Sequence, residues 1–143
     1  MIVLDTNVLS ELMRQQPDSK LMAWLDAQAT DQLWITAITV AEILYGVARL
    51  PDGKRKAALL DTALVMLEED FAGRTLPFDA AAAQCYAQLV ATRENAGRPI
   101  SMADAQIPAI CLSHGAMLAT RNTKDFDGLE LELIDPWRAA GED

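Results

Sequence analysis

Asp5, Glu42 and Asp104 are the residues whose type and setting could do chemistry in this chain. Asp5 closes a short apolar run, Ile2-Val3-Leu4, that reads as a buried strand. An acid at the carboxyl end of such a strand lies where open α/β sheets bind their ligands. Glu42 and Asp104 each follow a hydroxyl residue by three positions, in Thr39-Val-Ala-Glu42 and Ser101-Met-Ala-Asp104. Taken singly, all three acids also read as helix caps, because Asp is a favoured N-cap and S/T-x-x-[DE] resembles a capping box. Taken together, they place three carboxylates at helix starts beside one sheet. Two carboxylates about 4 Å apart repel by roughly 4 kcal/mol at an effective dielectric of 20, and a divalent cation would relieve that repulsion. Oxygen ligands without histidine or thiolate favour magnesium or manganese over zinc. Such ions lower the pKa of water and stabilise charge on a phosphoryl oxygen.

The elements that must position these acids alternate along the chain. Strands are expected at Ile2–Leu4, Leu33–Thr36, Arg74–Phe78, Ala116–Thr120 and Leu131–Ile134. Helices are expected over Asn7–Arg14, from Asp18 or Ser19 to about Ala29, Thr39 to about Leu50, Lys54–Asp70, Asp79–Asn95 and Ser101–Gly115. Strands alternating with helices imply an α/β domain with a mostly parallel sheet. Pro108 falls inside the last of these helices and should kink it or shorten its first part.

The chain of 143 residues fits one domain. No apolar stretch approaches the roughly 18 residues of a membrane helix, and Asp5 interrupts any secretory signal, so a cytoplasmic protein is expected. Cys85 and Cys111 lack metal or redox spacing and read as small core residues. The single histidine, His114, precedes Gly115 at an expected helix C-terminus, where imidazole suits the dipole. It leaves no room for multi-histidine metal chemistry. Twelve Lys and Arg against 21 Asp and Glu give a net charge of −9. Polyanion binding normally shows as a basic excess, but a cation-loaded carboxylate pocket could account for several of these charges.

Four ordered segments carry a resemblance: Val3-Leu-Asp-Thr-Asn-Val8, Ile38-Thr-Val-Ala-Glu42 followed by Gly46, Ser101-Met-Ala-Asp104, and Ala119-Thr-Arg-Asn122 followed by Asp125-Phe126. Together they resemble the motifs of PIN-domain ribonucleases. Almost from end to end the chain is similar to VapC toxins, including the FitB-like branch, which Asp135-Pro-Trp137 also fits. The resemblance implies a PIN-like α/β/α sandwich over residues 1–143 and a metal-dependent endoribonuclease, the toxin of a type II toxin–antitoxin system. It implies Asp5, Glu42 and Asp104 as ligands of Mg2+ or Mn2+, with Thr6 and Asn7 supporting the first turn. Many relatives add a fourth acid where this chain has Asn122. Asp125 is the candidate substitute, and it reads equally well as a surface turn residue.

The resemblance further implies an RNA substrate, a VapB-like antitoxin, a homodimer and toxin–antitoxin hetero-oligomers. Arg121, following the fourth strand, is the preferred phosphate contact, while Lys54-Arg55-Lys56 reads as a solvated helix face. Two other readings remain. A non-catalytic PIN-fold binding module draws support from Asn122. An aspartyl-nucleophile phosphatase would want an acid two residues after Asp5, where Asn7 stands.

Overall fold

The computed structural model describes residues 1–138. Five parallel strands form one sheet in the order β3-β2-β1-β4-β5. They are β1 (Ile2–Leu4), β2 (Leu33–Thr36), β3 (Thr75–Leu76), β4 (Met117–Ala119) and β5 (Leu133–Ile134). The expected strands are all present, trimmed by two or three residues in β3, β4 and β5. Six helices connect them: α1 (Thr6–Leu12), α2 (Ser19–Asp26), α3 (Ala37–Ala48), α4 (Lys54–Val65), α5 (Ala80–Asn95) and α6 (Met102–His114).

Side-chain alternation along each strand divides the core into two layers, because neighbouring residues point to opposite faces of a sheet. Leu4, Ile35 and Ala119 join Val8, Leu9, Leu21, Trp24, Ile43 and Val47 on the face covered by α1 to α4. Val3 and Leu118 join Ala82, Ile107, Ile110 and Cys111 on the face covered by α5 and α6. This is the expected α/β/α sandwich. The chain moves outward from β1 to β2 and β3, then returns to place β4 on the other side of β1. The strand order therefore reverses between β1 and β4, where open α/β sheets form a ligand crevice at the strands' carboxyl ends.

Helix starts and stops follow local signals with three departures. Asp18 caps α2, accepting from the Lys20 and Leu21 amides. Asp79 caps α5 through the Ala82 amide. At the end of α6, Gly115 adopts φ 61°, a left-handed conformation that glycine reaches without a Cβ penalty. Thr39 does not start α3, however. Thr36, the last residue of β2, is the N-cap and accepts from the Thr39 amide at 3.1 Å, so helix follows strand without a loop. The helix from Lys54 changes to a π-helical turn over Met66–Asp70. Pro108 does not shorten α6, which runs from Met102 through it to His114. Its ring is fully buried, and that packing offsets the missing backbone donor.

No helix among the described residues is long and apolar enough to cross a membrane. Leu118, fully buried at the centre of the α5–α6 layer, tests the core: Leu118→Ala should destabilise the fold by about 2–5 kcal/mol. In a urea titration the midpoint should fall with little change in slope.

Candidate functional site

Asp5 is only 9% exposed, so each of its carboxylate oxygens needs a partner. It is the N-cap of α1, and Oδ1 accepts from the Thr6 amide at 2.8 Å. Oδ2 accepts from the Thr120 hydroxyl at 2.8 Å and, more weakly, from Asn7 Nδ2 at 3.5 Å. The Thr120 hydroxyl in turn accepts from Asn7 Nδ2 at 3.2 Å and from the Asn122 amide at 3.1 Å. One donor and two acceptor sites exhaust what a hydroxyl offers. Asn7 Oδ1 accepts from the Arg121 amide at 3.3 Å. The chain just after β1 is thereby tied to the chain just after β4.

Glu42 is held differently. It lies in the second turn of α3, not at a cap, and its Oε1 accepts from the Thr6 hydroxyl at 2.7 Å. Thr6 Oγ1 also lies 2.9 Å from Thr39 Oγ1, and Thr36 donates to Thr39 at 3.5 Å. With Thr6 donating to Glu42, the Thr39 hydroxyl must donate to Thr6. The three hydroxyls then point in sequence toward the Glu42 carboxylate.

Asp104 does sit at a helix start. Ser101 caps α6 by accepting from the Asp104 amide at 3.1 Å. The reciprocal half of a capping box is missing: among the described residues, the exposed Asp104 carboxylate takes no hydrogen bond.

Asp5, Glu42 and Asp104 line a single cleft of about 460 Å³, together with Thr6, Asn7, Asn122 and Asp125. Burial raises the Asp5 carboxyl above the ordinary carboxylate range, while bonds from Thr120 and the Thr6 amide pull it down; repulsion from Glu42 and Asp104 raises it further. That repulsion marks Glu42 and Asp104 as close enough for Asp5 to sense their charge. Behind Asp5, burial and the Asp5 charge push the Cys111 thiol upward, which keeps it an inert core group. An all-oxygen donor set with unbalanced negative charge fits a hard divalent cation. The carboxylates are not closed around one point, since among the described residues no three His, Cys, Asp or Glu side chains are arranged to hold an ion.

Arg121 is the expected site residue that does not line this cleft; its guanidinium lies over the Trp137 ring, 4.9 Å from the centroid. Three residues of the site went unread in the sequence. Thr120 is fully buried at the end of β4, and a hydroxyl ending an apolar strand beside Asp5's strand was its available signal. Glu11 lines the cleft and is 8% exposed, accepting from the Asp18 amide at 2.9 Å and from Arg14 Nη1 at 3.3 Å. Arg93 is 9% exposed in α5 and donates to the carbonyls of Arg98 and Asp125, at 2.7 and 3.1 Å. It thus anchors the turn that carries Asp125 to the cleft. Nothing in the local pattern marks either.

The PIN domain family matches residues 2–130. The chain is 44% identical to the VapC ribonuclease Y4jK of Sinorhizobium fredii, over 98% of this chain and 100% of that protein. It is 41% identical to toxin FitB of Neisseria gonorrhoeae, over 96% and 99%. A solved structure of FitAB bound to an IR36 DNA fragment contains a chain that superposes with a TM-score of 0.91 at 39% identity, covering all of both chains.

A raised Asp5 carboxyl has a definite effect on stability. The folded state holds this proton more tightly than the unfolded chain, so its contribution is present at low pH. It is lost as pH rises from the ordinary carboxylate range through the raised folded value. Thr120→Val removes a hydrogen bond that lowers this pKa and should extend the window upward. Unfolding free energies measured in chelator should show the variant losing more stability, by roughly 1–3 kcal/mol, above the window than below it.

Proposed function

The chain belongs to the PIN-domain family, in its VapC and FitB branch, and on that footing we propose that it is a divalent-metal-dependent endoribonuclease. The observation that carries this reading is the common cleft in which Asp5, Glu42 and Asp104 meet, with Asp5 feeling the charge of the other two. The name of the Sinorhizobium fredii relative, a ribonuclease, supports RNA as the substrate.

Asp5, Glu42 and Asp104 would hold Mg2+ or Mn2+, which would lower the pKa of the attacking water and stabilise charge on the phosphoryl group. The chain's own residues supply the rest. Thr120, Asn7 and the Thr6 amide fix both oxygens of Asp5, which removes the reorganisation a free carboxylate would need. The Thr6 hydroxyl orients Glu42 toward the same cleft. Asp104 is exposed and unbonded among the described residues, so it is free to adjust to a substrate. Asn122 and Asp125 both line the cleft. Either can offer an oxygen at the fourth position, Asn122 without charge and Asp125 with it.

The Neisseria relative is named a toxin, and the solved relative is a FitAB assembly. By that likeness the chain acts as a cytoplasmic toxin held by a VapB-like antitoxin, as a homodimer within a hetero-oligomer. A basic antitoxin side chain entering the acidic cleft would compete with the cation electrostatically.

Purified chain free of antitoxin should cleave structured RNA only with Mg2+ or Mn2+, and chelator should abolish cleavage. Asp5→Asn and Asp104→Asn should each lower the rate by roughly 100-fold or more; full cleavage by both would overturn the reading. Thr6→Val, which removes the donor to Glu42, should raise the metal concentration for half-maximal cleavage about 10–100-fold.

A further inference from the structure

Arg14 is the one cationic side chain among the described residues lining the acidic cleft. It also lines a second depression of about 960 Å³ between α1, α3 and α4, where Arg55 is the other cation. Ser10, Arg14 and Glu42 belong to both walls, so cleft and groove are continuous. The Arg14 side chain is 69% exposed and rests on buried Glu11 at 3.3 Å, while Glu11 is separately fixed by the Asp18 amide. Its guanidinium is therefore placed at the junction while keeping donors free for a ligand.

Gly46 faces the same groove from within α3. A Cβ built there meets nothing within 4 Å, and its backbone is not left-handed, so the fold does not require glycine. Glycine inside a helix is disfavoured relative to alanine. Its effect is to leave the groove floor bare beside two arginines.

We propose that single-stranded RNA leaves the catalytic cleft along this α1–α3–α4 groove, with one phosphate on Arg14, the next contact on Arg55, and the backbone passing over Gly46. The inference rests on the ribonuclease reading of the cleft. In a chain of net charge −9, a polyanion must follow local cations, and these two define a track that starts at the carboxylates. Arg121, packed on Trp137, lies off that track.

The test uses full-length protein carrying Asp104→Asn, an exposed position outside the side-chain hydrogen-bond network, so that RNA is bound without being cut. A fluorescein-labelled 12-nucleotide single-stranded RNA of mixed sequence is titrated with Mg2+ present, between 50 and 200 mM KCl. Adding Arg14→Ala should weaken binding about tenfold and reduce the slope of log K against log salt by ~0.7; adding Arg55→Ala as well should reduce it by ~1.4. Arg14→Lys should restore the slope. Gly46→Leu should weaken binding about tenfold while leaving the melting temperature unchanged or higher, which a merely structural glycine would not do. Slopes unmoved by Arg14→Ala, or moved by Arg121→Ala instead, would overturn the proposal. So would RNA binding that is indifferent to all these changes while a co-expressed protein partner is lost, since the groove would then be a protein interface. If the unmutated chain cleaves RNA but the slopes ignore Arg14, the track fails and the ribonuclease reading stands. If the slopes follow Arg14 but no RNA is cut with metal, the track stands and the ribonuclease reading falls.

Discussion

A carboxylate buried at the end of the central strand is the constraint on which this structure depends. An isolated buried charge is unfavourable by several kcal/mol, and Asp5 is tolerated because its oxygens are bonded from two directions, by α1 and by the chain after β4. The β1–β4 register, Leu4 against Ala119, brings Thr120 level with Asp5. A slip of one residue would turn Thr120 to the opposite face of the sheet. Sheet register and carboxylate chemistry are thus one requirement.

The same constraint gathers the other acids from opposite sides of the sheet. Glu42 comes from α3 in the layer that covers Leu4, and Asp104 from α6 in the layer that covers Val3. Neither layer alone could surround the end of β1. The reversal of strand order beside β1 leaves the crevice into which both reach. Helix N-termini carry partial positive charge that favours nearby carboxylates. Asp5 as N-cap of α1 and Asp104 in the first turn of α6 benefit from this, so capping and ligation are compatible uses of one placement.

Much of the fold was legible in the sequence. Ile2–Leu4 and Leu33–Thr36 are short apolar runs of strand-forming residues, and Asp18, Asp79, Ser101 and Gly115 are punctuation with local physical causes. Boundaries failed where a tertiary effect competed with a local one. Thr39 carries a capping-box pattern, but Thr36 is better placed because β2 runs directly into α3. Thr39 is then used through its hydroxyl, within the chain that ends on Glu42. Pro108 should interrupt a helix by local rules, yet α6 runs continuously through it with its ring fully buried.

The acids could be singled out as candidates because their residue types and the short motifs around them are local properties of the chain. Thr120, Glu11 and Arg93 could not, since each matters through a partner distant in sequence or through burial: Asp5 lies 115 positions from Thr120, and Asp125 lies 32 from Arg93. By itself the sequence determined the alternating elements, the caps of α2, α5 and α6 and the three carboxylates as candidates, while the sandwich architecture came from the family resemblance. Only the tertiary structure decided that the carboxylates share one cleft, that Arg14 stands in it while Arg121 lies over Trp137, and that Thr120 satisfies Asp5. The physical reason is that elements form from contacts within a few residues, whereas compensation of a buried charge depends on strand register and layer packing.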